Sequence, residues 1–346
     1  MINEYISLLS NLVATPSLSR DEGQTASIIE AWLNRHGVVT ERVANNIVAR
    51  SCGYNPEKPT LMLNSHHDTV KPNAGYTRDP FVPTIENGRL YGLGSNDAGG
   101  PAVALIAAFM KLRNYELPFN LLLAITAEEE CSGANGMRLL LKHIGPVEMA
   151  IVGEPTGMKC AVGERGLMVL DCTAHGKSGH AARKEGINAL YIALDDINRL
   201  RNLNFERQSA LMGDININVT QINAGTQHNV IPAECQYVVD VRTTDAYSNE
   251  ETFDIIDHAI ESDVKARSTH LRASAIDDNH RLVMAIDALG IEKFLSPTMS
   301  DMTLMPFPSI KIGPGDSARS HSADEYIGID EIEQAIEIYI KLILTI

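Results

Sequence analysis

Residues 60–70 read TLMLNSHHDTV. Thr60, Leu61, Met62 and Leu63 follow the breaker Pro59 as an apolar run, the pattern of a short buried strand. Asn64, Ser65, His66, His67 and Asp68 then bring five polar side chains in succession. Open α/β sheets place their chemistry at the carboxyl ends of such strands. His66 and Asp68 are two apart, so an extended backbone puts them on one face. There a carboxylate can hold one nitrogen of an imidazole whose other nitrogen binds a metal. Taken alone, the stretch is equally a polar strand-to-loop turn with no ligand.

Two other apolar runs end in the same way. Asn120–Thr126 (NLLLAIT) leads into Ala127 and then Glu128, Glu129 and Glu130. Met149–Val152 leads into Gly153, Glu154 and Pro155. Three consecutive glutamates are costly to crowd together unless they are solvated or hold cations; a solvated helix start is the plain alternative. Between these runs, residues 89–112 (RLYGLGSNDAGGPAVALIAAFMKL) put Asp97 in a glycine-loosened loop. Pro101 opens a helix there at its first turn, so Asp97 is a capping residue or a ligand. Three strands that each end in carboxylates or imidazoles point to one convergent site.

Bulk properties narrow the function. The chain has 346 residues, which suits two domains. Hydrophobic residues make up 44% and charged residues 21%, the composition of a folded globular protein. With 29 basic and 44 acidic residues the net charge is −15, which argues against nucleic acid and against anionic membranes as partners. No 18-residue apolar run is present, and the amino-terminal MINEYISLLSNLV lacks the basic region of a signal peptide. Cys52, Cys131, Cys160, Cys172 and Cys235 are odd in number and form no C-x-x-C pair, so a disulfide framework or a thiolate zinc site is not expected. A cytoplasmic location fits. No H-E-x-x-H, G-x-S-x-G or phosphate-loop motif occurs.

The remaining segments complete an expected architecture. Residues 3–13 read as a helix, and Ser19-Arg20-Asp21-Glu22 has capping-box spacing for a second helix ending at Gly37. Residues 38–43 and 47–50 suggest a strand pair turned at Asn45-Asn46, and Asn87-Gly88 signals a hairpin. Residues 133–143 suggest a helix. From 166 to 272 the pattern becomes strand, helix, strand, strand, helix, strand, at 167–174, 189–201, 215–223, 234–242, 253–260 and 265–272, a two-layer α+β unit. The last third returns to α/β patterning, with His321 in the loop GPGDSARSHSADEY and an amphipathic helix from Ile329. The expected fold is α/β: a three-layer catalytic domain with a central mixed sheet (1–165 and 273–346) and an inserted two-layer α+β domain (166–272).

H-x-D at 66–68, G-x-G-x-x-D at 92–97, E-E at 129–130, G-E-P-T at 153–156 and S-H-x-x-D-E at 320–325 occur in order along nearly the whole chain. The set resembles the co-catalytic di-zinc amidohydrolases and exopeptidases, a family that includes acetylornithine deacetylase, succinyl-diaminopimelate desuccinylase and aminoacylase. The resemblance implies two Zn²⁺, with Co²⁺ or Mn²⁺ as substitutes. It implies His66 and Glu154 on one cation, Glu130 and His321 on the other, and Asp97 bridging both. Asp68 would orient His66 and Glu129 would be the general base, although Glu128 leaves a shift of one position open. A cis peptide is implied at Asp97-Ala98. In the inserted domain, GKSGHAARKEGINAL resembles a dimerisation motif, and His180 would reach across a homodimer to steady an oxyanion in the partner's active site. Asn229 and Arg242 resemble substrate-binding positions, with an ordinary salt bridge the alternative for Arg242. Near His321, backbone and hydroxyl donors of the Gly315 and Ser317 loop could bind the same substrate carboxylate, a turn with no ligand being the alternative. The tail SIKIGPGDSARSHSADEYI is most like that of acetylornithine deacetylases. The substrate implied is therefore a small N-acyl amino acid, acetylornithine, cleaved to acetate and ornithine in arginine synthesis. Succinylornithine, acetylcitrulline, succinyl-diaminopimelate and dipeptides are the alternatives. A carboxylate-bearing acyl arm would need a further cation, for which Arg165, Arg183 and Arg319 are available.

Overall fold

The computed structural model of the chain describes residues 2–346. Packing of the backbone divides it into two compact units: residues up to 163 with 276–296 and 300–346, and residues 164–275 with 297–299.

The first unit is built on a mixed sheet. Its strands run in the spatial order Thr40–Val43, Asn46–Arg50, Asn120–Thr126, Thr60–His66, Met149–Val152, Ser309–Lys311 and Cys160–Glu164, with Lys293–Ser296 beside the last. The four central strands from Asn120–Thr126 to Ser309–Lys311 are mutually parallel, so their carboxyl ends lie together. Every residue of Thr60–His66, Asn120–Thr126 and Met149–Val152 is buried, which is why these segments read as continuous apolar runs. Leu61, Leu63, Leu121, Leu123 and Ile151 enter one core with the helices Ile2–Val13, Gly100–Leu112 and Ile329–Thr345. Met62, Leu122, Ala124 and Val152 face a second, smaller core closed by Met137, Leu140, Met302 and Met305. The unit is thus an α/β three-layer structure whose second helical layer is thin.

Several local expectations are corrected. The second helix spans Gly23–Arg35, and its amino end has no side-chain cap. Ser19 is instead drawn away to Asp68, and the Glu22 carboxylate accepts the Arg20 N–H and an Asn45 amide N–H (3.0 Å). The first hairpin pairs Val43 with Asn46, so its turn is Ala44-Asn45, one residue earlier than the Asn-Asn signal suggested; Ala44 has φ 54°. The expected 133–143 helix is only the single turn Met137–Leu140, because Gly133 and Gly136 pack against Glu128 and Ala127. The Asn87-Gly88 hairpin joins Thr84–Glu86 to Arg89–Tyr91, and Pro101 sits in the first turn of Gly100–Leu112.

The second unit is a four-stranded antiparallel sheet in the order Asn216–Ala224, Glu234–Thr243, Gly166–His175 and Asp263–Ala266. Alternate residues of the two central strands are buried against the helices Ala189–Arg201 and Asn249–Ala259. The second helix begins at Asn249 rather than near Phe253, because Ser248 and Glu251 form a capping box that was not read from the sequence. The last strand is short and ends at Ala266. All five cysteines are free thiols. Among the described residues, no helix is long and apolar enough to cross a membrane.

Two glycines of the first unit separate backbone strain from steric exclusion. Gly92 has φ 142°, and a Cβ there would meet Val13 Cγ1 at 2.2 Å and the Pro80 oxygen at 3.2 Å. Gly53 has φ 68° with nothing within 4 Å of a Cβ. Gly53→Ala should cost about 1 kcal/mol from φ alone. Gly92→Ala should cost about 3 kcal/mol or more, because overpacking adds to strain. Urea midpoints at unchanged m-value measure both.

Candidate metal centre

The carboxyl ends of the parallel strands carry the cluster. His66 is the last residue of its strand, fully buried. Its Nδ1 lies 3.0 Å from the Asp68 carbonyl oxygen and 3.5 Å from the Asp68 carboxylate, so the ring donates there and turns Nε2 outward. Nε2 faces Asp97 Oδ1 at 3.2 Å, Glu154 Oε1 at 3.7 Å and Glu129 Oε2 at 3.9 Å. His321, in a loop of the last third, points Nε2 at both Glu130 oxygens (3.1 and 3.0 Å) and lies 3.7 Å from Asp97 Oδ2. Asp97 therefore offers one oxygen to each imidazole. Donor atoms of His66, Asp97 and Glu130 all lie within 4.8 Å of one another. The Asp97-Ala98 peptide is cis.

The three glutamates point in different directions. Glu128, at φ 57°, turns back so that its carboxylate accepts the Asn135 backbone N–H (3.0 Å) and side-chain amide (2.9 Å). Glu129 faces His66 and Glu130 faces His321. Asp68 fixes this turn as well as the imidazole. Its carboxylate accepts the Glu129 N–H (3.0 Å), the Glu130 N–H (3.2 Å) and the Ser19 hydroxyl (2.7 Å).

Electrostatics show what the cluster lacks. Burial, with the charges of Glu154, Asp301 and Glu130, holds the Glu129 carboxyl well above the usual carboxylate range. Burial pushes Glu154 up to about 8, with Asp97 and Glu130 adding to the effect. Burial opposes charge on Asp97 too, but its hydrogen bond to His66 and the two imidazoles hold it below the ordinary value. The Glu130 hydrogen bond pushes His321 up to about 9. Four carboxylates crowded here need added positive charge, from protons or from cations. Imidazole and carboxylate donors without thiolate suit a pair of zinc-type divalent ions, and the donor set fits that group.

Neighbouring residues have structural work. His67 is buried between Thr25 Oγ1 (2.9 Å) and the Asn45 oxygen (2.9 Å), and burial pushes it down to about 4, so it is neutral at pH 7. Asp301 accepts the Thr126 hydroxyl at 2.7 Å, and burial raises it to about 6. Glu325 accepts backbone N–H groups of Gly94, Asn96 and Asp97; burial pushes it up to about 8 against their pull. Asp301 left no signal in the sequence. Glu325 stood within the S-H-x-x-D-E motif without an assigned role.

The substrate-binding candidates divide. Gly315, at φ 89°, packs against the Asn96 side chain, where a Cβ would meet Oδ1 at 2.3 Å. Ser317 is exposed nearby, at the start of a short 3₁₀ turn. In the second unit, the short strands Gly179–His180 and Val230–Ile231 pair, bringing His180 and Asn229 together; the Ala181 N–H donates to the Asn229 oxygen (3.0 Å). His180 is exposed, and its Nδ1 accepts the Ala182 N–H (3.1 Å), which leaves Nε2–H as the outward donor. Arg242 is not open as expected: its guanidinium is bidentate to Asp240, two residues back (2.8 and 3.1 Å).

The sequence profile of Peptidase family M20/M25/M40 matches residues 62–345, and the chain belongs to that family. It is accordingly a hydrolase of the metallopeptidase and amidohydrolase type. The chain is 28% identical over 376 residues to the acetylornithine deacetylase of Proteus mirabilis, covering 98% of this chain and 96% of that one. It is 27% identical over 386 residues to the succinyl-diaminopimelate desuccinylase of Cereibacter sphaeroides, at 98% and 97% coverage. Aminopeptidase PepT of Bacillus cereus shares the fold, with a TM-score of 0.79 at 18% identity over 100% of this chain and 98% of that chain.

Ser19→Ala would leave Asp68 Oδ2 with only the Glu130 N–H. The substitution should cost about 1–2 kcal/mol in stability and weaken metal binding about tenfold through the loosened Asp68. Thermal melts of the metal-free protein and cobalt titrations read the two effects separately.

Proposed function

We propose that the chain is a two-metal amide hydrolase that removes the acyl group from the α-nitrogen of an ornithine-like amino acid, with acetylornithine as substrate and arginine synthesis as its setting. The observation that carries this is Asp97, one carboxylate set between two imidazoles that each have their own glutamate. His66 and Glu154 would hold one cation, His321 and Glu130 the other, and Asp97 both; zinc suits these donors best, with cobalt or manganese as substitutes. Bound there, two such ions supply Lewis-acid polarisation of the amide carbonyl and lower the pKa of an attacking water.

The residues do the rest. Glu129, which faces the His66 Nε2 at 3.9 Å, takes the proton of the attacking water and returns it to the leaving amine, the base-then-acid role of a positioned carboxylate. Asp68 keeps the His66 ring and the Glu129 backbone in register. His180, offered across a homodimer formed through the second unit, donates its Nε2–H to the developing oxyanion. Gly315 and Ser317 line the amino-acid portion. Arg242 meets the substrate carboxylate only by exchanging Asp240 for it.

A second reading, a succinyl rather than an acetyl arm, draws on Arg183. Arg319 is bidentate to Glu331 (2.7 and 3.1 Å), and Arg165 donates to the Met212 and Asp214 carbonyls. Arg183 lies exposed three residues from His180. Turnover of acetyl- and succinylornithine, acetylcitrulline and succinyl-diaminopimelate by the zinc-loaded protein ranks these substrates, and inactivity on all four would move the proposal to dipeptides. Chelation should abolish activity, and zinc or cobalt should restore it. Glu129→Gln should retain both metals while turnover falls about 10²–10⁴-fold; retained turnover would remove Glu129 as the proton carrier.

A further inference from the structure

Glu325 lies four positions beyond His321 and is 1% exposed. One of its carboxylate oxygens accepts the N–H of Asn96 (2.8 Å) and of Asp97 (2.9 Å), and the other accepts the N–H of Gly94 (3.1 Å). Its own carbonyl accepts the Gly92 N–H (2.9 Å), so the segment is tied to this loop at both backbone and side chain. The loop it grips is the one that presents Asp97. Three backbone N–H donors converge on this one buried carboxyl group, so it holds the loop at three points.

We propose that Glu325 is a positioning residue: it fixes the backbone of Asp97 so that the Asp97 carboxylate spans both imidazole-glutamate pairs, and its loss uncouples the two cation positions. The inference rests on the two-metal reading above. Asp97 reaches His66 at 3.2 Å with one oxygen and His321 at 3.7 Å with the other. A small rotation of the peptide at Asp97 would bring one oxygen nearer at the expense of the other. The grip from behind opposes that rotation. His321 and Glu325 also lie on one short segment, so the ligand of one cation and the brace of the shared carboxylate move together. The adjacent Asp324 serves elsewhere: its carboxylate accepts the Thr77 N–H (2.9 Å), the Thr77 hydroxyl and the Arg78 N–H (3.1 Å). It is a control one position away that does not touch the Asp97 loop.

The test is a Co²⁺ titration of the metal-free, full-length wild type and the Glu325→Gln, Glu325→Asp and Asp324→Asn variants, by calorimetry and by the visible spectrum, with thermal melts alongside. Glu325→Gln keeps the volume but turns an amide group toward one of the N–H donors. It should bind the first equivalent as wild type does and the second about 10–100-fold more weakly. Asp324→Asn should bind both equivalents normally. Two equivalents at wild-type affinity in Glu325→Gln, with only a lowered melting temperature, would reduce Glu325 to a backbone scaffold and overturn the proposal. Should Glu325→Gln not fold, Glu325→Asp gives the same reading. If neither folds while Asp324→Asn does, the role is structural and the proposal also fails. A wild type that takes fewer than two equivalents would overturn the two-metal reading itself, a result distinct from either of these.

Discussion

Uncompensated negative charge is the constraint on which the first unit turns. Its central strands are buried on both faces, so the side chains that follow them have little solvent to enter. Asp97, Glu129, Glu130 and Glu154 meet there beside two imidazoles, and the buried Lys311 relieves part of the charge on Glu154. Burial alone raises Glu129 and Glu154, and each carboxylate raises its neighbours further. An arrangement so costly persists where the missing positive charge arrives from outside the chain. The crowding that makes the uncompensated cluster unfavourable is the same feature that gives it donors for a cation.

The cluster is held by a second set of buried carboxylates placed behind it. Asp68, Glu128 and Glu325 each accept backbone N–H groups of the loops bearing the ligands. Loops at strand ends lack ladder hydrogen bonds, and orphan donors inside a protein must find acceptors. Carboxylates can accept several at once, which neutral side chains cannot do as well. The result is a shell of acids around a site that is itself acidic.

How much of this was legible in the sequence follows from range. The strands Asn120–Thr126 and Met149–Val152 were read to the residue, because fully buried parallel strands are unbroken apolar runs with abrupt polar ends. The hairpin at Asn87-Gly88 and the helix opened by Pro101 were legible for local reasons, since the turn needs positive φ at both residues and the proline ring is already locked at a helical φ. What failed was local pattern overridden from afar. Ser19 had capping-box spacing, but Asp68, 49 positions away, takes its hydroxyl. The 133–143 segment looked helical, yet its glycines are spent on close packing around Glu128. Arg242 was visible as a cation suited either to a substrate carboxylate or to an ordinary salt bridge, and the structure takes the second, with Asp240. Asp301 and Glu325 act through hydrogen bonds to residues 175 or more positions distant, and no short motif encodes such a pairing.

The run Glu128-Glu129-Glu130 shows how the backbone resolves what composition leaves ambiguous. Identical side chains in sequence carry no information about which is ligand and which is base. Glu128 adopts φ 57°, which sends its carboxylate to Asn135 and starts a turn. Asp68 then accepts the next two N–H groups and so fixes the directions in which Glu129 and Glu130 leave the chain. One carboxylate thereby orients the first imidazole and both remaining glutamates. A substitution at Asp68 therefore disturbs the settings of His66, Glu129 and Glu130 together. The three hang on a single buried group, which Ser19 braces on the Asp68 side as Glu325 braces the Asp97 loop.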